Sequence, residues 1–246
     1  MNPSTLREAK EIFGGIKKSA LKLKKTQIVV CAPFVYLSEL KRMFKGKQLA
    51  LGGQDCFAEE KGEWTGAVSV TMLKSVGADF VLTGHSERRA LGESDELINQ
   101  KIKLALKRKL TIVLCVGENS RDEEGKYFAF LERQILAGLQ GVNKTFLKKI
   151  LIAYEPLWAI GKNARKIIAV AELEQVSIFI RKILADKYGV ANFNQIEILY
   201  GGSVDDKNAE ELLRGGGIAG FLVGRAGLDA EKFGRILKIA ERGEKL

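Results

Sequence analysis

Three cysteines, three prolines and one histidine in 246 residues leave little material for several kinds of protein. Cys31, Cys56 and Cys115 are odd in number and far apart, and each lies in or just after an apolar run. That placement argues against a disulfide framework and against zinc-ligand spacing, and the three read as small, reduced packing residues. Long apolar runs are also missing. The longest, Ile28 to Leu37, falls well short of the ~20 residues that a membrane-spanning helix needs, and the charged start from Met1 to Glu11 does not read as a secretory signal. The expectation is a cytoplasmic chain with no membrane partner. There is no Walker pattern, no His/Cys metal cluster and no serine-nucleophile elbow, so neither a metal nor a cofactor is expected. Without a Pro/Gly/Ser-rich linker, a low-complexity tract or a close internal repeat, residues 1–246 read as a single domain.

What is present is the make-up of a folded globular chain, 46% hydrophobic and 28% charged. A domain of this size typically buries roughly 70 to 75% of its unfolded surface, so it needs no covalent staple. Forty Lys and Arg against thirty Asp and Glu give a net charge of +10, which raises the question of a nucleic-acid partner. The distribution argues against one. Lys17, Lys18, Lys22, Lys24 and Lys25, and then Lys101, Lys103, Lys107, Arg108 and Lys109, read as solvent-facing positions of amphipathic patterns, without interleaved aromatics.

Short apolar, β-branched runs alternate with segments of helical period, the signature of repeated βα units around a parallel sheet. Seven strands are predicted, at about Gln27–Ala32, Leu49–Gln54, Phe80–Thr83, Thr111–Val116, Ile150–Tyr154, Glu197–Tyr200 and Gly220–Val223. Most are apolar throughout, as suits strands covered on both faces. Helices are predicted at about Thr5–Leu23, Val35–Phe44, Val68–Val76, Asp95–Lys107, Tyr127–Gln140, Ala169–Lys187, Asp206–Leu213 and Asp229–Ala240. The first is marked by the stripe Leu6, Ala9, Ile12, Phe13, Ile16 and Ala20 and by Thr5 with Glu8 as a capping box. Pro33 and Pro156 each sit just past a strand, and Pro3 has the same look with no strand before it. The best-fitting architecture is an α/β (β/α)8 barrel lacking its first strand. A doubly wound open sheet fits less well, because no Gly-rich dinucleotide loop follows an early strand.

In a parallel barrel the strand C-termini open on one face, which carries the active site. His85, the only histidine, stands where an apolar strand breaks into a polar turn, and Glu155 follows the run Ile150 to Tyr154. An imidazole and a carboxylate at that mouth are candidates for proton transfer; a structural histidine and a loop-capping carboxylate are the alternatives. The segment Pro156, Leu157, Trp158, Ala159, Ile160, Gly161 is an apolar loop between a rigid proline and a glycine, a candidate lid or else a loop buried against its neighbour. Gly201, Gly202, Ser203 and Gly224 supply backbone amides at the ends of the last two strands, the usual phosphate site of such barrels.

The segments Thr83-Gly84-His85-Ser86-Glu87-Arg88-Arg89, Leu114-Cys115-Val116-Gly117-Glu118, Ala153 to Gly161 and Tyr200-Gly201-Gly202-Ser203-Val204 make the chain resemble the triosephosphate isomerase family along nearly its whole length. The resemblance implies that Glu155 moves a proton between two carbons of a triose phosphate while His85, as a neutral imidazole, polarises the carbonyl, the established pair of that family. It further implies a supporting role for Glu87, phosphate contacts from Gly161, Ser203, Gly224 and Arg225, a homodimer formed through Gln54, Asp55, Trp64, Thr65 and Gly66, and a place in glycolysis and gluconeogenesis. Three departures stand out. The family's first strand carries an Asn-x-Lys pair, and its pattern runs straight from that lysine into Met1-Asn2-Pro3. The lid continues as Gly161-Lys162-Asn163-Ala164, altered from the common form. Arg225 replaces a glycine, which would be costly if its backbone were left-handed. The expectation is an isomerase of severely impaired activity, with a non-catalytic barrel that binds phosphates or partners as the alternative. The first helix, deprived of a strand to rest on, is expected to slide into the gap, stay mobile or pack on another subunit.

Overall fold

The computed structural model describes residues 2–44, 46, 48–122, 124–160 and 167–243. Seven strands form one wholly parallel sheet in sequential order: β1 (Ile28–Ala32), β2 (Leu49–Gly53), β3 (Phe80–Thr83), β4 (Thr111–Val116), β5 (Ile150–Tyr154), β6 (Glu197–Tyr200) and β7 (Gly220–Phe221). Residue alternation divides them between two cores. Ala50, Phe80, Leu82, Val113, Cys115 and Ala153 cluster on the inner, concave side, while Val30, Leu51, Val81, Ile112, Leu114, Ile152 and Ile198 face the helices. Both faces are therefore apolar, as the unbroken hydrophobicity of the strands predicts.

Nine helices are described: α1 (Leu6–Ala20), α2 (Phe34–Arg42), α3 (Val70–Ser75), α4 (Ser86–Ala90), α5 (Asp95–Lys107), α6 (Lys126–Gly138), α7 (Val170–Tyr188), α8 (Ala209–Gly215) and α9 (Ala230–Arg242). Eight match the predicted set, α5 to the residue and the others with shifted ends. The ninth, α4, buries none of its five residues and so leaves no apolar period to read. At α1, the Thr5 hydroxyl accepts the Glu8 N–H at 3.1 Å, whereas the Glu8 carboxylate accepts from Ser4 at 2.8 Å and not from Thr5.

Among the described residues β1 pairs only with β2 and β7 only with β6, so the curled sheet has two free edges. An open cavity of about 3070 Å³ runs from His85 and Glu155 past Val29, Cys31, Leu199 and Leu222 to Lys149 at the opposite end. Helix α1 packs on α9 and α2, burying Ala9, Phe13, Ile16 and Ala20. Among the described residues α9 supplies the apolar surface on which α1 rests. The approach is close: a Cβ on Gly15 would lie 2.4 Å from that of Ala230. The Glu241 carboxylate then fastens the end of α9 to the entry of β1, accepting N–H groups from Lys24, Lys25 and Thr26 at 2.7, 3.0 and 2.9 Å.

Candidate active site

Two residues expected to act together are brought together. Glu155 leaves the end of β5 almost fully buried, and its Oε1 lies 3.2 Å from His85 Nε2 at the end of β3. Its Oε2 accepts the Ser86 backbone N–H at 3.1 Å, and the buried Cys115 on β4 lies beside the carboxylate. Burial pushes the Glu155 carboxyl above the ordinary carboxylate range, against the opposing pull of His85 and the Ser86 N–H. A carboxylate so placed is a stronger base than one in water.

His85 is the N-cap of α4, and its Nδ1 accepts the Glu87 backbone N–H at 3.3 Å. A ring nitrogen that accepts an N–H carries no proton of its own, so the imidazole proton is assigned to Nε2, on the Glu155 side. Glycines allow the approach. A Cβ on Gly117 would sit 1.8 Å from the Glu155 carbonyl oxygen, and one on Gly201 would sit 2.8 Å from Glu155 Cγ. Glu87 itself is exposed, and among the described residues no lysine or arginine pairs with it.

The apolar segment after Glu155 begins as a packed turn. Pro156 and Ala159 are buried, Leu157 to Ala159 form one turn of 3-10 helix, and Leu157, Trp158 and Ile160 are half-buried. The Trp158 indole donates to Glu118 Oε1 at 2.8 Å, an oxygen that also receives the Tyr154 hydroxyl at 2.7 Å and Arg121 Nε at 3.1 Å. The Arg121 guanidinium lies 4.8 Å from the Trp158 ring centroid. Burial, chiefly, pushes the Tyr154 hydroxyl well above its usual range, which keeps it a donor. The Ser203 hydroxyl donates to the Ala159 carbonyl at 2.8 Å, joining this turn to the loop after β6. Gly161 and the hinge residues Lys162, Asn163 and Ala164 lie outside the described residues.

Gly224 and Arg225 are exposed after β7. Lys109, at φ 61°, is the only non-glycine with positive φ among the described residues, so Arg225 is spared the left-handed strain. Gln54 and Asp55 are half-buried after β2, and Trp64, Thr65 and Gly66 are exposed, with the Trp64 indole bonded to Glu59 at 3.1 Å.

Sequence reasoning passed over Cys115, read as a mere packing residue, and Arg121. It also placed Lys101 in solvent, whereas the Lys101 side chain is only 3% exposed and ion-paired with Asp55 at 2.7 Å and with Glu93. The signal was there to read: Ile98, Lys101, Ile102 and Ala105 share one helical face, and all four are buried.

The fold is of the parallel βα class, with His85, Glu155 and Ser203 just past the C-terminal ends of β3, β5 and β6. Comparison with known proteins narrows this to one family. The family model for triosephosphate isomerase matches residues 1–240. The triosephosphate isomerase of Geotalea uraniireducens is 41% identical over 239 residues, covering 96% of this chain and 94% of the relative. That of Alkaliphilus oremlandii is 38% identical over 229 residues, covering 92% and 91%, and that of a Thermoanaerobacter species (strain X514) is 42% identical over 215 residues, covering 87% and 86%. The chain belongs to the triosephosphate isomerase family.

Proposed function

We propose that this chain interconverts D-glyceraldehyde 3-phosphate and dihydroxyacetone phosphate by proton transfer, as an enzyme of glycolysis and gluconeogenesis. The observation that carries the reading is the pair itself: a buried carboxylate with a raised pKa, 3.2 Å from an imidazole whose Nε2 holds the proton. Glu155 takes a proton from the substrate carbon next to the carbonyl. The electron pair of the broken C–H bond forms the enediolate, His85 Nε2–H hydrogen-bonds and protonates the carbonyl oxygen, the deprotonated Nε2 takes its proton back from the other enediol oxygen, and Glu155 returns the carbon-bound proton to the neighbouring carbon. This chemistry requires no metal or redox group. Ser203, Gly224, the Arg225 amide and Gly161 contact the substrate phosphate, and residues 156–161 act as the lid that excludes water. The protein works in the cytoplasm as a homodimer through the loop of Gln54, Asp55, Trp64, Thr65 and Gly66.

The same reading holds that residues 1–246 by themselves make a weak catalyst, because the family's Asn-x-Lys pair, whose lysine offsets substrate charge, is not among them. One observation supports it: among the described residues β1 and β7 share no neighbour, which is the place such a strand fills. A preorganised electrostatic stabiliser is typically worth about 3 to 4 kcal/mol, so its loss corresponds to a rate roughly 100- to 1000-fold below that of a complete site. A coupled assay from either triose phosphate tests this. Turnover in that reduced range, removed by Glu155→Gln, is expected. Turnover within tenfold of the relatives refutes the impairment. Binding of a triose phosphate analogue without any turnover identifies a non-catalytic barrel.

A further inference from the structure

We propose that Lys101 is a positioning residue for His85, acting through Asp55 and Arg88 from the far side of α4. The proposal rests on the reading of His85 as the electrophile and deepens it. Helix α4 carries both N–H groups on which the pair depends, Ser86 to Glu155 and Glu87 to His85 Nδ1. A helix of five residues is too short to persist through its own hydrogen bonds, and this one buries no side chain. Its hold on the protein is polar, through two consecutive arginines.

Arg89 reaches inward, donating to the Gly84 and Cys115 carbonyls at 2.7 and 3.3 Å and pairing with Asp95 at 2.6 Å. Arg88 reaches the other way, to Asp55 Oδ2 at 3.0 Å, beyond the end of β2. Only this second anchor depends on a buried cation. Asp55 Oδ1 is held by Lys101 at 2.7 Å, and the same ammonium pairs with the buried Glu93. The ammonium meets Glu93 at Oε1, Oε2 has no hydrogen-bond partner among the described residues, and the Glu93 N–H donates to the Arg88 carbonyl at 3.2 Å. Lys101 thus keeps two carboxylates together. Without it Asp55 and Glu93 repel, and buried like charges are relieved only by protonation or by movement of the segments that carry them. Glu93 follows the end of α4 and Asp55 holds its third residue, so that movement turns the helix and both of its amides.

The test uses the fact that His85 is the only histidine, so imidazole nitrogen NMR signals come from one ring. In the unaltered chain Nδ1 is expected in the acceptor range and Nε2 in the protonated range. In Lys101→Met the Glu87 N–H no longer fixes the tautomer, and the two shifts converge; Lys101→Arg keeps the charge and restores most of the separation. Leu184→Ala, in the buried face of α7, serves as a control that loses stability without touching the network. Should Lys101→Met fail to fold, Asp55→Asn gives a second comparison, because it removes the charged acceptor that links Lys101 to Arg88 while Glu93 still pairs with the ammonium. Unchanged His85 nitrogens in a folded Lys101→Met or Asp55→Asn protein, or an equal change in Leu184→Ala, overturns the proposal. Convergence of the shifts in a chain that performs no isomerisation leaves the positioning role standing and removes the proposed reaction instead.

Discussion

Replacing Gly117 by alanine asks more of this structure than its one added methyl suggests. The new Cβ falls 1.8 Å from the Glu155 carbonyl oxygen and 2.5 Å from the carbonyl carbon. Ordinary contact lies near 3.5 Å, so the ends of β4 and β5 must part by well over an ångström. One hydrogen bond crosses that junction, Glu155 N–H to Val116 at 2.7 Å, and two more hold its flanks, Gly201 N–H to Tyr154 at 2.7 Å from the β6 side and Gly117 N–H to the buried Gln134 side chain of α6 at 2.9 Å. At about 1 kcal/mol net for each bond broken, the expected loss is about 2 to 4 kcal/mol. A catalytic group misplaced by about 1 Å costs on the order of 100-fold in rate. Urea unfolding measures the first and the coupled assay the second. Gly14→Ala, in the interior of α1 with nothing within 4 Å of the added Cβ, is the control and should gain about 0.5 to 1 kcal/mol. A Gly117→Ala protein that loses under about 1 kcal/mol and keeps its activity refutes the reasoning, because the β4 and β5 ends would then have slack that this geometry denies them.

Two predictions concern pH. The Glu241 carboxyl, although desolvation raises it, is pulled down to about 2 by the N–H groups of Lys24, Lys25 and Thr26. Its contribution is present above the ordinary carboxylate pKa and fades as pH falls toward 2. Glu241→Gln should therefore lose about 1 kcal/mol at neutral pH, as for a lost capping group, and show a flatter acid limb in denaturation. Glu155 runs the other way. With its pKa raised by burial, its contribution is full at acid pH and is lost as pH rises through the folded value, so Glu155→Gln should gain on the unaltered chain as pH rises above the ordinary carboxylate range. The gain is partial, because both neighbours of the carboxylate donate and an amide must turn its own N–H groups toward one of them.

What the sequence disclosed and what it withheld follow one physical division. Strands such as Thr111–Val116 and Ile150–Tyr154 were legible to the residue, because a sheet covered on both faces writes itself as an unbroken apolar run. His85 and Glu155 were legible as polar breaks at the ends of such runs. Contacts between distant segments were not. Glu118 collects Tyr154, Trp158 and Arg121, and Lys101 joins Asp55 to Glu93, through spacings that no local period records. The last strand pairs over only Gly220–Phe221, shorter than the apolar run to Val223, since strand length is set by the neighbour that pairs with it and not by hydrophobicity alone.

The central claim is that Glu155 moves a carbon-bound proton, and solvent exchange reads that step without waiting for net turnover. Dihydroxyacetone phosphate incubated in D2O with the unaltered chain should acquire deuterium at the carbon bearing the hydroxyl. Glu155→Gln should suppress the incorporation by at least about 100-fold, the usual contribution of a general base, while still binding a triose phosphate analogue. Incorporation at the same rate in both proteins, or none in the unaltered chain despite tight analogue binding, would contradict the account.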